Sequence, residues 1–322
     1  MKVMTQVNKV DLVGVGLNAT DTLIRLPDFP QRGSKLEYAA ESVMPGGQVA
    51  STVVACQTWG LQTRYVGKLG DDDGSRLHAR EFCRTGVEAQ LINVPDAASP
   101  KSLIMVDHDG ERTVLCRRDE RLILQPQELR REWITEARAL HVDGHDTAAA
   151  TQAATWAHEA GVVVIADLDE IYPGVDALIE KIDYLIVSRD FPARLTGERN
   201  LAKALREIRL RYGCRLTAAT LGPEGVLAWN GEVLHHVPAY RVPVVDTTGA
   251  GDIFHAGFIF ALLQGWPLNR QLEFACAAAA MNCMAEGARG GISTLDSVLK
   301  FMDTTPQYEV GAELPSDMQV AV

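Results

Sequence analysis

Val245-Asp246-Thr247-Thr248-Gly249-Ala250-Gly251-Asp252 is followed by an apolar helical pattern from Ile253 to Leu263, which ends at Gln264-Gly265-Trp266-Pro267. Three small residues in succession let the backbone pass close to a ligand, because no side chain blocks the approach. The helix that begins there has first-turn N–H groups with no partner inside the helix. Those groups and the positive end of the helix dipole together form an anion site. Asp252 stands in the first turn, beside the place where the anion would lie. An anion cradle next to a carboxylate base is what transfer of a phosphoryl group to a hydroxyl requires. A plain Gly-rich turn with an ordinary first-turn acid would look the same, so the flanking sequence has to decide.

Around this stretch, short β-rich runs alternate with helical patterns. The runs are Val10–Val15, Arg64–Val66, Ala139–Val142, Val162–Ala166, Tyr184–Val187 and Leu216–Leu221. The helical stretches include Ala50–Trp59, Ser75–Thr85, Ala148–Ala160 and Leu201–Tyr212, and the chain reads as mostly helical from Asp252 onward. Apolar strands alternating with helices indicate a doubly wound α/β fold, with a mostly parallel sheet covered on both faces. Val226–Trp229 and Val233–Val237, joined by Asn230-Gly231, read as a hairpin with a two-residue type I′ turn. The tail after Asp303 has little periodicity and is expected to be loosely held.

Two stretches break the alternation. Thr22–Val43 carries Pro27, Pro30 and Gly33 and lacks a helical stripe. Ser102–Arg117 reads as a second hairpin, with strands Leu103–Val106 and Thr113–Leu115 turning at Asp109-Gly110. Together they predict a small β-sheet apart from the main one. Such a sheet would leave an apolar face in water unless it covers something. Leu23, Leu26, Leu36, Leu103, Ile104, Val106, Val114 and Leu115 are too many apolar side chains for two exposed faces. One face is expected to close over the ligand site, and the rest to pair with the same sheet of a second subunit in a two-fold dimer.

Composition narrows the function classes. The chain has 322 residues, 47% hydrophobic and 23% charged, with a formal net charge of −11. That balance suits a globular enzyme and disfavours nucleic acid or an anionic membrane as the main partner. The N-terminal segment lacks the apolar core and cleavage site of a signal peptide, and no apolar run approaches the roughly 20 residues of a membrane span. Six cysteines without a CxxC or a pairing rhythm read as reduced thiols. The expected location is the cytoplasm. Gly14-Val15-Gly16-Leu17-Asn18-Ala19 has the form of a dinucleotide fingerprint, but Thr20–Pro30 cannot supply the helix it requires. Gly67-Lys68 is followed by Leu69, so there is no Walker-type loop either.

The Asp246–Asp252 block resembles one of the two signatures of the ribokinase-like (phosphofructokinase-B) carbohydrate kinase family. The other has a counterpart in Pro45-Gly46-Gly47-Gln48-Val49-Ala50-Ser51 and Val66-Gly67-Lys68-Leu69-Gly70-Asp71-Asp72-Asp73-Gly74. The likeness runs from about Val10 to Ser293. It implies ATP-dependent phosphorylation of a sugar hydroxyl, expected to be a CH₂OH, with Asp252 as general base. The backbone of Gly249, Ala250 and Gly251 would be the anion hole, with Mg²⁺ carried on the nucleotide. It implies Asp21, Asn18, Gly46, Gly47 and Ser51 at the sugar. Position 51 departs from the family, which has Asn there, and a hydroxyl reaches less far than a carboxamide.

On the nucleotide side the resemblance implies Ser188, Thr220, Gly222 and Gly225, with Ala279 and Cys283 near adenine. The family's NxxE motif would fall at Ser188-Arg189-Asp190-Phe191, where both Asn and Glu are missing. Asp190, Asp167 and Asp169 are the acids nearest to that gap. Asp246 and Thr248 match positions near a monovalent-cation site, so K⁺ is a candidate cofactor, although Arg289-Gly290-Gly291-Ile292 departs from the usual pattern. His255 reads as a core or helix-surface histidine. Three other readings share these motifs: a nucleoside kinase, a kinase of an anionic (phosphorylated or sulfonated) sugar using Arg25, Lys35, Arg112 or Arg117, and a non-catalytic sugar-binding protein. An intact Asp252 speaks against the last.

Overall fold

A computed structural model of the chain describes residues 9–108 and 112–309. In chain order the elements are β1 (Val10–Val15), β2 (Ala19–Arg25), β3 (Ala40–Gly46), α1 (Gln48–Thr58), β4 (Thr63–Leu69), α2 (Asp73–Thr85), β5 (Glu88–Asn93), β6 (Lys101–Val106) and β7 (Arg112–Arg117). They continue with α3 (Arg131–Thr135), β8 (Ala137–Asp143), α4 (Thr147–Ala160), β9 (Val163–Leu168), α5 (Val175–Ile179), β10 (Tyr184–Ser188), α6 (Phe191–Thr196), α7 (Leu201–Tyr212) and β11 (Leu216–Thr220). Last come β12 (Val226–Trp229), β13 (Leu234–Val237), α8 (Ala250–Leu263), α9 (Leu268–Asn282) and α10 (Leu295–Thr304).

Nine strands form the main sheet in the order β13-β12-β11-β10-β9-β8-β1-β4-β5. From β11 to β5 every neighbouring pair is parallel, while β12 and β13 turn antiparallel at one edge. Alternate residues of each buried strand face opposite sides. Ile165, Ile186 and Ala218 join a core with α1, α8 and α9, whereas Val164, Leu185, Val187 and Ala219 join one with α4 and α7. This is the doubly wound arrangement expected from strand–helix alternation. It lines up the carboxyl ends of β9, β10 and β11 along one edge, where such sheets bind ligands.

The hairpin at the sheet edge differs from expectation. Trp229 pairs with Leu234, so the loop spans 230–233 and is not a two-residue turn. The Asn230 carboxamide accepts the N–H groups of Glu232 and Val233 at 2.9 and 2.8 Å, which organises the longer loop. Strand β5, missed in the sequence, pairs in parallel with β4 through half-buried residues of weak pattern. Thr305–Glu309 follow α10, and Gln307 forms a bridge to Tyr240; the rest of the tail lies outside the described residues.

The small sheet has four strands in the order β3-β2-β6-β7, and the turn expected at Asp109-Gly110 lies outside the described residues. Register places Asp21, Leu23, Met44, Ser102, Ile104, Arg112 and Val114 on one face. Leu23, Ile104, Val106 and Met44 make its own small core. The opposite face carries Thr22, Val43, Leu103 and Leu115, of which Val43 and Leu115 are exposed. Leu36 lies in the loop between β2 and β3, not on a strand.

The junction of core and lid rests on Asp72, which caps α2. Its carboxylate accepts the Ser75 N–H at 3.1 Å, and the Ser99 N–H and hydroxyl at 3.0 and 2.6 Å. Ser99 lies just before β6, so one side chain ties helix α2 to the lid. Asp72→Ala is expected to cost about 1–2 kcal/mol of stability. Urea melts at neutral pH check this, and an unchanged midpoint would show that the cap adds nothing.

Candidate active site

Helix α8 begins at the end of a loop that it could not follow with ordinary residues. Gly249 is its N-cap, with φ 73°, a left-handed conformation that disfavours any side chain. A Cβ on Gly249 would also lie 2.4 Å from the Ala288 carbonyl oxygen. Asp246 holds the loop from below: one carboxylate oxygen accepts the Thr248 N–H at 2.8 Å and the other accepts the Gly287 N–H at 2.8 Å. The Ala250 N–H closes a turn onto the Thr247 carbonyl at 3.2 Å. Gly251 is exposed, with open space where a side chain would stand. Its N–H belongs to the first helical turn, which lacks partners inside the helix.

Asp252 follows, half-buried in that first turn. Its carbonyl accepts the Thr52 hydroxyl of α1 at 3.0 Å, so α1 and α8 are bonded at the level of the base. Beneath it lies His255, buried, with Nδ1 2.8 Å from the Gly251 carbonyl and Nε2 3.2 Å from the Ile186 carbonyl. His255 Nδ1 is also 3.4 Å from Asp167 Oδ2, at the end of β9. The core reading of His255 therefore fits. Burial pushes the Asp252 carboxyl up to about 7, with Asp167 and Asp21 adding to the rise and His255 and Arg289 opposing it. Burial, reinforced by Asp169 and Asp143, also holds Asp167 well above the usual carboxylate range.

Asp21 faces this helix start from the lid. It lies past β1, within β2, and its carboxyl is pushed up to about 6 by burial, opposed by a hydrogen bond with Ser102 and by Arg289. A Cβ on Gly46 would lie 2.0 Å from Asp21 Oδ2, and one on Gly47 would lie 2.6 Å from Asn18 Cα. The Gly46-Gly47 pair thus packs directly on the Asn18–Asp21 segment. Both polar atoms of the buried Asn18 side chain lack a hydrogen-bond partner among the described residues. Such atoms carry a desolvation cost unless a ligand meets them. Ser51 is fully buried, and its hydroxyl accepts from Arg289 Nε at 3.1 Å.

On the other side, Ser188 and Thr220 end the adjacent parallel strands β10 and β11 and pair in register. Gly222 and Gly225 flank the turn after β11. Phe191 fills the NxxE glutamate position and is fully buried, while Asp190 stands exposed at the start of α6. Ala279 and Cys283 lie one turn apart at the partly exposed end of α9, and the Cys283 carbonyl accepts the N–H groups of Val245 and Asp246. The Ala-rich composition of α9 has a further cause: a Cβ on Gly257 of α8 would lie 2.7 Å from Ala275 Cα, so these helices pack at close range. Thr248 is buried and its hydroxyl is unpartnered among the described residues. Among the described residues, no group of three His, Cys, Asp or Glu side chains is arranged to hold a metal ion.

Two residues gain importance beyond what the sequence assigned them, Arg112 having been named only as a lid cation for an anionic acceptor. Arg112, on the inner face of the lid, donates to the Thr247 hydroxyl at 3.0 Å and joins the lid to the catalytic loop. Arg289, read only as a departure from a cation-site pattern, is buried, donates to the Gly46 carbonyl, and is acted on by the charges of Asp21 and Asp252. The one available signal was an arginine set among Gly287, Ala288, Gly290 and Gly291. No helix among the described residues is long and apolar enough to cross a membrane.

Residues 9–295 match the pfkB family of carbohydrate kinases. The ATP-dependent ribose-1-phosphate kinase of Halopiger xanaduensis is 30% identical over 291 residues, 88% of this chain and 94% of that protein. The aminoimidazole riboside kinase of Salmonella typhimurium is 30% identical over 270 residues, 78% of this chain and 84% of the relative. Among solved structures, Arabidopsis thaliana ribokinase complexed with ribose and ATP superposes with a TM-score of 0.77 at 25% identity, covering 91% of this chain and 98% of that one. Thermotoga maritima ribokinase gives 0.80 at 24% identity, over 92% and 100%. With the match spanning both the sheet and its lid, this protein belongs to the pfkB family of carbohydrate kinases, phosphotransferases that act on a hydroxyl acceptor.

Proposed function

We propose that this protein transfers the γ-phosphoryl group of ATP to a sugar hydroxyl, a CH₂OH, with Asp252 as general base. The observation that carries this reading is the pairing of a raised carboxyl with a helix start that opens beside it. In its ionised form Asp252 accepts the hydroxyl proton as the oxygen attacks phosphorus. The first-turn N–H groups around Gly249, Ala250 and Gly251, with the dipole of α8, stabilise the charge on the phosphoryl oxygens. Asp21 and Asn18 hold sugar hydroxyls against the Gly46-Gly47 turn. Ser188, Thr220, Gly222 and Gly225 line the nucleotide side, with Ala279 and Cys283 toward the base. Bound with the nucleotide, Mg²⁺ supplies positive charge to the phosphates, a mode that needs few protein ligands. K⁺ near Asp246 and Thr248 is part of the proposal.

A second reading, an acceptor that already carries a phosphate, is favoured by Arg112 on the inner face of the lid and by the similarity to a ribose-1-phosphate kinase. A thermal-shift panel of sugars, sugar phosphates and nucleosides with a non-hydrolysable ATP analogue separates the two, because a true ligand stabilises by mass action.

Asp252→Asn should keep ATP binding within a few-fold and lower kcat by about 10²–10⁴-fold. The base works only when ionised, so kcat/KM of the parent should fall as the pH drops through about 7. A variant close to the parental rate would remove Asp252 from the base role.

Asp21→Ala should weaken acceptor binding by about tenfold or more with little change in ATP binding, since it removes a buried hydrogen-bonding carboxyl. Calorimetric titration with each ligand is the test, and equal losses for both would place Asp21 elsewhere.

The lid is proposed to pair with its copy in a second subunit through the face that carries Val43 and Leu115. Light scattering should find a dimer at micromolar concentration, and Leu115→Glu should shift it toward monomer. A monomeric parent would end the dimer proposal.

A further inference from the structure

Arg289 lies between α9 and α10, where small neighbours let the chain turn tightly. A Cβ on Gly290 would lie 2.0 Å from the Glu286 carbonyl oxygen, and one on Gly291 would lie 2.4 Å from Asn282 Cα. Asn282 fastens this turn to the catalytic loop: its amide donates to the carbonyls of Thr248 and Ala288 at 3.1 and 3.2 Å, and its oxygen accepts the Gly291 N–H at 3.1 Å. The guanidinium is thereby carried into the interior. Nε donates to the Ser51 hydroxyl of α1 at 3.1 Å, one Nη to the Gly46 carbonyl of β3 at 2.6 Å, and the other Nη to the Glu81 carboxylate of α2.

Burying a guanidinium is costly even when it is paired, and an apolar residue could fill the same volume at less cost. The identity of its partners points to a use. The Gly46 carbonyl belongs to the residue whose Cα abuts Asp21, and the Ser51 hydroxyl, one turn into the helix that follows the same glycine pair, accepts from the guanidinium. A planar fork spreads its donors over three nitrogens in a fixed geometry, here matched by acceptors from three elements, whereas an ammonium is a compact point charge with rotatable donors.

We propose that Arg289 is a positioning residue for phosphoryl transfer: its fork, held by Ser51 and Glu81, fixes the Gly46-Gly47 turn against the acceptor. The inference rests on the roles given above to Asp21 and Asp252. The charges that act on Asp252 come from Asp167 on β9, Asp21 on β2, His255 on its own helix and Arg289 on the segment after α9. The groups that act on Arg289 are Glu81, Asp21, Asp252 and Tyr65 of β4, and its charge also reaches His78 of α2. Glu81 neutralises part of that charge and sets how much reaches the acids.

The test compares Arg289→Gln and Glu81→Gln in the full chain. One readout is KM for ATP and for the acceptor with the highest turnover in the panel above. The other is NMR titration of carboxyl-labelled aspartate in the resting protein, with Asp252→Asn to assign the base. Both variants should raise acceptor KM by about tenfold or more while ATP KM stays within about twofold. Arg289→Gln should move the Asp252 titration to higher pH, and Glu81→Gln to lower pH, because one removes a cation and the other uncovers it. A role in packing alone would not give shifts of opposite sign. Shifts of the same sign, no shift, or equal losses for both substrates would overturn the proposal. If Arg289→Gln does not fold, Arg289→Lys decides: a raised acceptor KM with an unmoved Asp252 titration supports it, and an unchanged acceptor KM overturns it. Failure of the base assignment looks different, since the parent rate would then lack a limb that matches the Asp252 titration.

Discussion

The site depends on one close approach: Gly249 pressed against Ala288 at the start of α8. A left-handed φ and the absence of a Cβ are both needed there, and no other residue type meets both demands. Asp246 closes the arrangement by accepting N–H groups from each of the two segments that meet. The loop before α8 and the turn after α9 therefore move as one piece. What they fix is the direction of a helix N-terminus and, within one turn of it, the position of Asp252. Helix α8 is buried along most of its length between α1 and α9, so its start cannot shift without repacking the core.

Electrostatics follows from that geometry. The chamber gathers Asp252, Asp21 and Asp167 in a protein that already carries net negative charge, and burial raises the proton affinity of all three. A carboxyl raised this far needs a nearby cation if it is to ionise near neutral pH. The protein supplies it from the side through Arg289, which opposes the rise at Asp252, while burial holds His255 below the usual histidine range and so leaves its ring neutral near pH 7. The lid contributes Arg112, whose bond to Thr247 brings a cation over the catalytic loop. The inner face of the lid carries Asp21, Ser102 and Arg112, and Leu23, Ile104, Val106 and Met44 pack among themselves while Val114 stays exposed.

Much of this was legible in the sequence because the signals are local. Small residues before an apolar helical stripe announced the helix start, since a ligand-approaching backbone admits few residue types. Apolar strands alternating with helices announced the doubly wound sheet, because each buried strand must be apolar on both faces. The lid was foreseen from segments that could be neither helix nor core. The errors were local too. The Asn230-Gly231 pair suggested a tight turn, but the Asn230 side chain organised a four-residue loop, a choice between two turn chemistries available to the same dipeptide. Strand β5 escaped notice because its burial comes from its place beside β4, not from an apolar pattern of its own.

The sequence by itself determined the fold class, the start of α8 after Gly249 and the place of Asp252 in its first turn, because backbone demands and periodicity act over a few residues. Which side chains surround Asp252 was decided by the tertiary structure. Asp167, Asp21, Thr52 and Arg289 come from separate stretches of chain, and only the order of strands in the sheet brings them to one edge. The same holds for Ser51, whose hydroxyl accepts from Arg289, a residue far along the chain. A partner so distant along the chain leaves no periodic trace, because the contact is made by packing and not by spacing.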